Sequence, residues 1–203
     1  MNEPGVNQPG ASTDARAHRR IHLLRHGQST WNAQGLMQGQ TPHPPLTELG
    51  REQAVAAAVE LAGLLTRAST LVSSDQVRAR QTADILAGGL RELVGDVHTD
   101  LRLRDQFVGD WQGTPVADLP TLLAPRGLHV SELRHGGGES TADVFGRATR
   151  FLADWRHRGA GDLVVVTHGV VVRCLLTVID GGSARDVPGP GIGNGTILTR
   201  DLT

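Results

Sequence analysis

Leu23-Leu24-Arg25-His26-Gly27-Gln28-Ser29-Thr30-Trp31, followed by Asn32, is the segment around which this chain is organised. The apolar run that leads into it, Ile21-His22-Leu23-Leu24, is short and aliphatic enough for a buried strand. It stops at an arginine, a histidine and a glycine. Ligands of open α/β sheets bind just outside the carboxyl ends of parallel strands, so a cation and a nucleophile there mark a candidate site. A satisfied polar strand end with a glycine turn has the same appearance, and only the remaining chain separates the two.

Two other segments repeat the pattern. Thr70-Leu71-Val72 runs into Ser73-Ser74-Asp75, and Leu163-Val164-Val165-Val166 runs into Thr167-His168-Gly169. A helix follows each. After the second strand, Ala79, Ala83, Leu86 and Leu90 fall on one helical face, and Arg78 lies off that stripe in the first turn, able to reach back to the strand ends. If the three strands are neighbours in a parallel sheet, Arg25, His26, Arg78 and His168 share one rim. The fold class expected is α/β: a three-layer sandwich with a mostly parallel central sheet flanked by helices.

The other elements fit that frame. Thr47 caps a helix whose apolar stripe reads as Val55, Ala58, Val59, Ala62 and Leu65. Ser140 and Asp143 form a capping-box start, with Val144, Ala148, Phe151 and Trp155 on one side of the helix beyond. Another helix covers about 170–179. Glycines alternate from Gly189 to Gly195, but Thr196-Ile197-Leu198 follows where a dinucleotide fingerprint needs a helix, so a turn into an antiparallel edge strand is expected. Residues 1–18 read as a disordered tail, 19–203 as a single catalytic domain, and 114–137, with prolines and leucines but little period, as a candidate lid.

Composition narrows the function classes. The net charge of −1 gives no bulk electrostatic case for nucleic acid or an anionic membrane. No stretch resembles a signal peptide or a membrane span, and a cytoplasmic protein is expected. Cys174 is the single cysteine, and Asp180 stands six positions on where a cysteine-type phosphatase loop needs arginine. Two histidines and two arginines on one rim suit a tetrahedral dianion, because guanidinium forks match phosphate oxygens and remain charged. A neutral imidazole can attack phosphorus, and the surrounding positive charge disfavours its protonation. A metal site at His22, His26 and His168 finds no supporting carboxylate or cysteine pattern.

LLRHGQSTWN, SSDQVRARQTA, LRLRDQFVGDWQG, GGGES and VVTHG, in that order, resemble the successive motifs of the histidine phosphatase superfamily, also called phosphoglycerate mutase-like. The resemblance runs from about residue 20 to 198. It implies His26 as the phosphorylated nucleophile, Arg25 and Arg78 as the phosphate clamp, His168 as the second histidine, and Asp105 as the general acid. It places Asn32, Gln38 and Gly39 in the substrate pocket and Glu139 and Ser140 at its edge. It implies no cofactor, no metal, a small phosphorylated substrate, and an oligomeric state that includes a homodimer among its possibilities. Two departures stand out: relatives carry glutamate where this chain has Asp105, and Pro42-His43 replaces the aspartate before the Pro-Leu-Thr turn. Mutases of the family carry an adjacent arginine pair in the region of 114–137; this chain has only isolated Arg126 and Arg134, which favours a phosphatase. A non-catalytic phosphate-binding module would have lost the nucleophile or a clamp residue, and none is lost.

Overall fold

The strand ends that the sequence brings to one rim do lie side by side. The structure is a computed structural model that describes residues 19–118, 129–158 and 161–202; the expected tail and the 119–128 part of the candidate lid lie outside the described residues. Five strands, β1 (Arg19–Arg25), β2 (Thr70–Ser73), β3 (His98–Thr99), β4 (Leu163–Thr167) and β5 (Ile197–Leu202), form one sheet in the order β3-β2-β4-β1-β5. β1 and β2 both run parallel to β4, with Arg25 opposite Thr167 and Ser73 opposite Val166. That register puts the ends of the three strands level. β5 lies antiparallel along β1 at the edge, as the glycine-rich turn before it implied.

Helices α2 (Glu48–Leu64) and α3 (Val77–Gly89) cover one face, against Leu24, Leu71, Val164 and Val166. Helices α4 (Thr141–Trp155) and α5 (Gly169–Ile179) cover the other, against Ile21, Leu23, Val72, Leu163 and Val165. The alternation follows from strand geometry, in which successive side chains point to opposite faces. A four-residue helix, α1 (Thr30–Ala33), sits between β1 and α2. The three-layer arrangement with a mostly parallel sheet and one antiparallel edge strand is the fold class expected.

The α2 stripe is a correction. Its buried residues are Gly50, Ala54, Ala57, Ala58 and Leu61, while Val55 is 55% and Val59 71% exposed. The helix is rotated from the expected face because it approaches its neighbours through small residues. A Cβ on Gly50 would stand 2.0 Å from the Gln28 carbonyl oxygen, so backbone meets backbone there. The Thr47 cap is in place, its hydroxyl accepting from the Gly50 amide at 3.0 Å. The stripes expected on α3 and α4 are buried. Ser140 and Asp143 form the capping box of α4.

Candidate active site

The C-terminal end of β1 carries Arg25 and His26 into a region closed by the starts of α3 and α5. His26 is 2% exposed, His168 1% and Arg78 0%, so this polar cluster is core-like in burial. His26 Nδ1 lies 2.7 Å from the Gly27 carbonyl oxygen, which can only accept. Nδ1 therefore carries the proton and Nε2 the lone pair. Arg78 gives the same answer independently, since its Nε donates to His26 Nε2 at 3.3 Å and a guanidinium cannot accept.

The rest of the Arg78 side chain is held by fixed acceptors. Nη1 donates to the Thr41 carbonyl at 3.2 Å, and Nη2 to the Gly39 carbonyl at 2.8 Å and to Asp105 Oδ2 at 3.2 Å. Gly39 has φ +49°, and a Cβ there would stand 2.7 Å from Val108 Cγ2, so the 38–39 turn needs glycine to present that carbonyl. A buried charge requires such pairing, because leaving it unpaired is expensive.

His168 packs edge-on to His26, ring centroids 5.1 Å apart. Its Nε2 lies 3.1 Å from the Ser74 hydroxyl at the end of β2, and its Nδ1 faces Asp105 Oδ2 at 3.8 Å. Among the described residues His168 Nδ1 and Arg25 Nε, both buried, have no hydrogen-bond partner. Buried polar groups are normally satisfied, so open valences in a cluster of cations mark a place built for an anion. The His26 pKa lies well below the ordinary histidine value, first through burial and then through Arg78 and Arg25. That of His168 is likewise depressed, by burial, then by Arg78, His26, Arg147 and Arg25.

A cleft of about 230 Å³ opens beside this cluster, lined by Arg25, Gln38, Gly39 and Asp105 among others. Asp105 is fixed from both sides: its amide donates to Gln76 Oε1 at 2.7 Å, and its carbonyl accepts from Arg147 Nη2 at 2.8 Å. Its carboxylate, 21% exposed, is left at the cleft edge. Gln38 accepts from the Ser29 hydroxyl at 2.7 Å and lines the cleft.

Three expected pocket residues are engaged elsewhere. Asn32 Oδ1 accepts from the Ser29 amide and hydroxyl, at 3.1 and 3.0 Å, and closes the capping box of α1. Glu139 is gripped by Arg147, Nε to Oε1 at 3.0 Å and Nη2 to Oε2 at 3.1 Å. The Ser140 hydroxyl caps α4. None of the three lines the cleft. Arg134 is also spent, donating to the Gly138 carbonyl and pairing with Asp143 at 3.1 Å. Arg126 lies outside the described residues.

Other residues contribute that the sequence reading passed over. Arg173 on α5 lines the cleft and donates to the Pro188 carbonyl at 2.6 Å. Asn194 donates to the His26 carbonyl at 3.0 Å and to Asn32 Oδ1 at 3.2 Å, tying the turn before β5 to the end of β1. The signal available for Arg173 was its place one turn after His168-Gly169, which puts both on one helix face. For Asn194 there was only a Gly-Asn-Gly turn.

The profile described as "Histidine phosphatase superfamily (branch 1)" matches residues 21–201. The chain belongs to the histidine phosphatase superfamily. A glucosyl-3-phosphoglycerate phosphatase of Mycolicibacterium vanbaalenii is 37% identical over 176 residues, covering 80% of this chain and 75% of the relative. A metal-independent phosphoserine phosphatase of Arabidopsis thaliana is 33% identical, covering 81% of this chain and 70% of the relative. The solved structure of mycobacterial glucosyl-3-phosphoglycerate phosphatase complexed with VO3 superposes with a TM-score of 0.76 at 33% identity, covering 89% of this chain and 92% of that one. Among the described residues no helix is long and apolar enough to cross a membrane, and no group of three or more His, Cys, Asp or Glu side chains could hold a metal ion.

Proposed function

We propose that this member of the family hydrolyses phosphomonoesters of small metabolites through a phosphohistidine at Nε2 of His26. The observation that carries the assignment is the tautomer of His26: Gly27 holds Nδ1–H, and Nε2 is left as the lone-pair atom beside Arg78. Burial and the flanking arginines keep that imidazole unprotonated, so at neutral pH the lone pair carries no proton and is held by the 3.3 Å bond from Arg78, which it exchanges for phosphorus.

The steps follow from the geometry. His26 Nε2 attacks phosphorus while the bond from phosphorus to the ester oxygen breaks. Arg25, Arg78 and His168 surround the place where the equatorial oxygens gather charge, and fixed donors there lower the barrier without reorganising. The leaving oxygen takes a proton from the Asp105 carboxyl, the acid at the cleft edge. Water then attacks the phosphohistidine, its proton passes to the Asp105 carboxylate, the bond from phosphorus to Nε2 breaks, and inorganic phosphate leaves. The relatives named for glucosyl-3-phosphoglycerate and phosphoserine support a small phosphorylated metabolite as substrate. Arg134 pairs with Asp143 and lines neither the cleft nor its neighbour, which supports hydrolysis over mutase chemistry.

Rapid acid-free quench with a ³²P-labelled ester tests the assignment. Labelled protein is expected in the wild type and none in His26→Ala, with turnover lost as well. Label retained in His26→Ala but lost in His168→Ala would reverse the two histidines.

A further inference from the structure

The cleft beside His26 does not end at Arg173. A second chamber of about 310 Å³ adjoins it, and the two share Met37, Gln106, Val108, Arg173 and Pro190 as common wall. Beyond that wall the second chamber is bounded by Val130, Ser131, His135, Thr141 and the 187–189 segment. The catalytic cleft alone, about 230 Å³, lies below the range of about 300–1,000 Å³ typical of small-molecule sites, and the adjoining space brings the site into it.

The polar groups of the second chamber are largely spent on its own walls. Gln106 Nε2 bridges His135 Nδ1 and the Glu139 carbonyl, each at 2.7 Å. The Ser131 hydroxyl lies 2.8 Å from His129 Nδ1. Arg173 Nε donates to the Gly169 carbonyl at 3.3 Å and Nη1 to the Pro188 carbonyl at 2.6 Å, so this cation straps the 187–190 wall to α5. Among the described residues no carboxylate lines the chamber. Burial lowers the His135 pKa and keeps that ring neutral. What remains for a ligand is mostly apolar surface from Met37, Val108, Val130, Val187 and the two prolines, with the Thr141 hydroxyl at the start of α4 and Nη2 of Arg173 on the shared wall.

We propose that this chamber is a subsite for the part of the substrate beyond the phosphoryl ester, and that it takes a ring with an apolar face, a sugar or an aromatic. The inference rests on the reading of the adjoining cleft as a phosphomonoester site. The phosphoryl group sits at His26, the ester continues past Arg173, and the ring packs between the 130–131 turn and the 187–190 wall.

Two matched pairs of esters test it: phenyl phosphate against biphenyl-4-yl phosphate, and glycerol 3-phosphate against its glucosylated derivative. Binding is read by calorimetry on His26→Ala, which holds the esters without turning them over, and kcat/KM is read on the wild-type chain. Burial of a ring is worth at least about tenfold, so the longer ester of one pair or both should bind about tenfold tighter and show a comparably higher kcat/KM. Which pair responds tells sugar from aromatic. Val187→Trp and Thr141→Trp fill the chamber and should return the long-to-short ratio towards one; Val130→Trp, at a position already 58% exposed, is the variant least able to disturb folding. Equal handling of long and short esters in both pairs, or an advantage that survives all three tryptophans, overturns the subsite. A binding advantage lost in the tryptophan variants, from a wild-type chain that hydrolyses none of the four, keeps the subsite and overturns the hydrolase reading instead.

Discussion

On the proposed mechanism His26 and Asp105 divide the chemistry between them, and the division can be measured. Asp105 is held by backbone bonds to Gln76 and Arg147 with its carboxylate at the cleft edge, 3.2 Å from Arg78 and 3.8 Å from His168. An alkoxide leaves poorly without a proton, whereas nitrophenolate leaves well unaided. General acid assistance is worth about a hundredfold to ten-thousandfold. Asp105→Asn is therefore expected to slow phosphorylation of His26 by an alkyl phosphate by about that range, while a nitrophenyl ester still gives a rapid burst. Steady-state turnover of the nitrophenyl ester should fall, because attack by water has lost its base. Pre-steady-state release from both ester types reads the difference; equal slowing of the two would remove Asp105 from the acid role. The backbone clamp holds the Asp105 carboxylate at the cleft edge. At this scale the sequence carried His26, His168, Arg25 and Arg78 to one rim through three strand ends. It read the Ser140 cap from Asp143, but it did not reveal that Asn32 closes the capping box of α1 and accepts from Asn194, or that Glu139 is gripped by Arg147.

Among the elements, α2 shows how the site is positioned by what is missing. Its small face lets the helix start close over the loop that carries His26, with Gly27 and Gly50 in backbone contact: a Cβ on Gly27 would stand 2.1 Å from the Gly50 carbonyl oxygen. The Gly27 carbonyl that orients His26 is therefore held by that approach. Gly50→Ala forces backbone to move and is expected to destabilise the fold by about 1–3 kcal/mol, the usual cost of overpacking, and to lower kcat as the His26 ring tilts. Gly88→Ala serves as the comparison, since a Cβ there meets nothing within 4 Å on α3. Gly88 lies in the last turn of α3, outside the helix interior, so the change should alter stability by less than about 0.5 kcal/mol and leave kcat alone. Thermal melts and steady-state kinetics check both, and a Gly50→Ala protein with unchanged Tm and kcat would sink the argument. Hydrophobicity misdirected the reading of α2 because Val55 and Val59 are more apolar than the alanines that are buried. Close approach selects for small size, which a hydropathy pattern does not register.

For the molecule as a whole, burying two histidines among arginines couples stability to pH. His26 and His168 resist protonation in the folded state, through burial and then Arg78. In the unfolded chain a histidine binds its proton near about pH 6.5. Below that value the unfolded chain holds more protons than the folded one, so stability rises with pH up to about 6.5 and falls on acidification. His22, also lowered by burial but partly compensated by Asp162, adds to the same slope. The urea midpoint is expected to drop between about pH 7.5 and about pH 5. The double variant His26→Gln with His168→Gln should show a smaller drop. A drop of undiminished size in that variant would place the pH dependence outside the site.

Local pattern alone determined β1, β2, β4, the β5 edge strand, most of the helix faces, the Thr47 and Ser140 caps and the order of the motifs, because periodicity and capping are written within a few consecutive residues; it did not show the two-residue β3. The level ends of β1, β2 and β4 were an inference from that pattern, and the strand register made them a fact. Only the tertiary structure decided the proton on His26 Nδ1, the rotation of α2, the engagement of Glu139 with Arg147, and the chamber beyond Arg173. The orientation of the Gly27 carbonyl at His26 Nδ1, the reach of Arg147 to Glu139 and the missing Cβ of Gly50 against Gln28 are set by how the backbone is placed in space. Hydrogen-bond direction and close packing are relations between such groups, and no single stretch of sequence contains them.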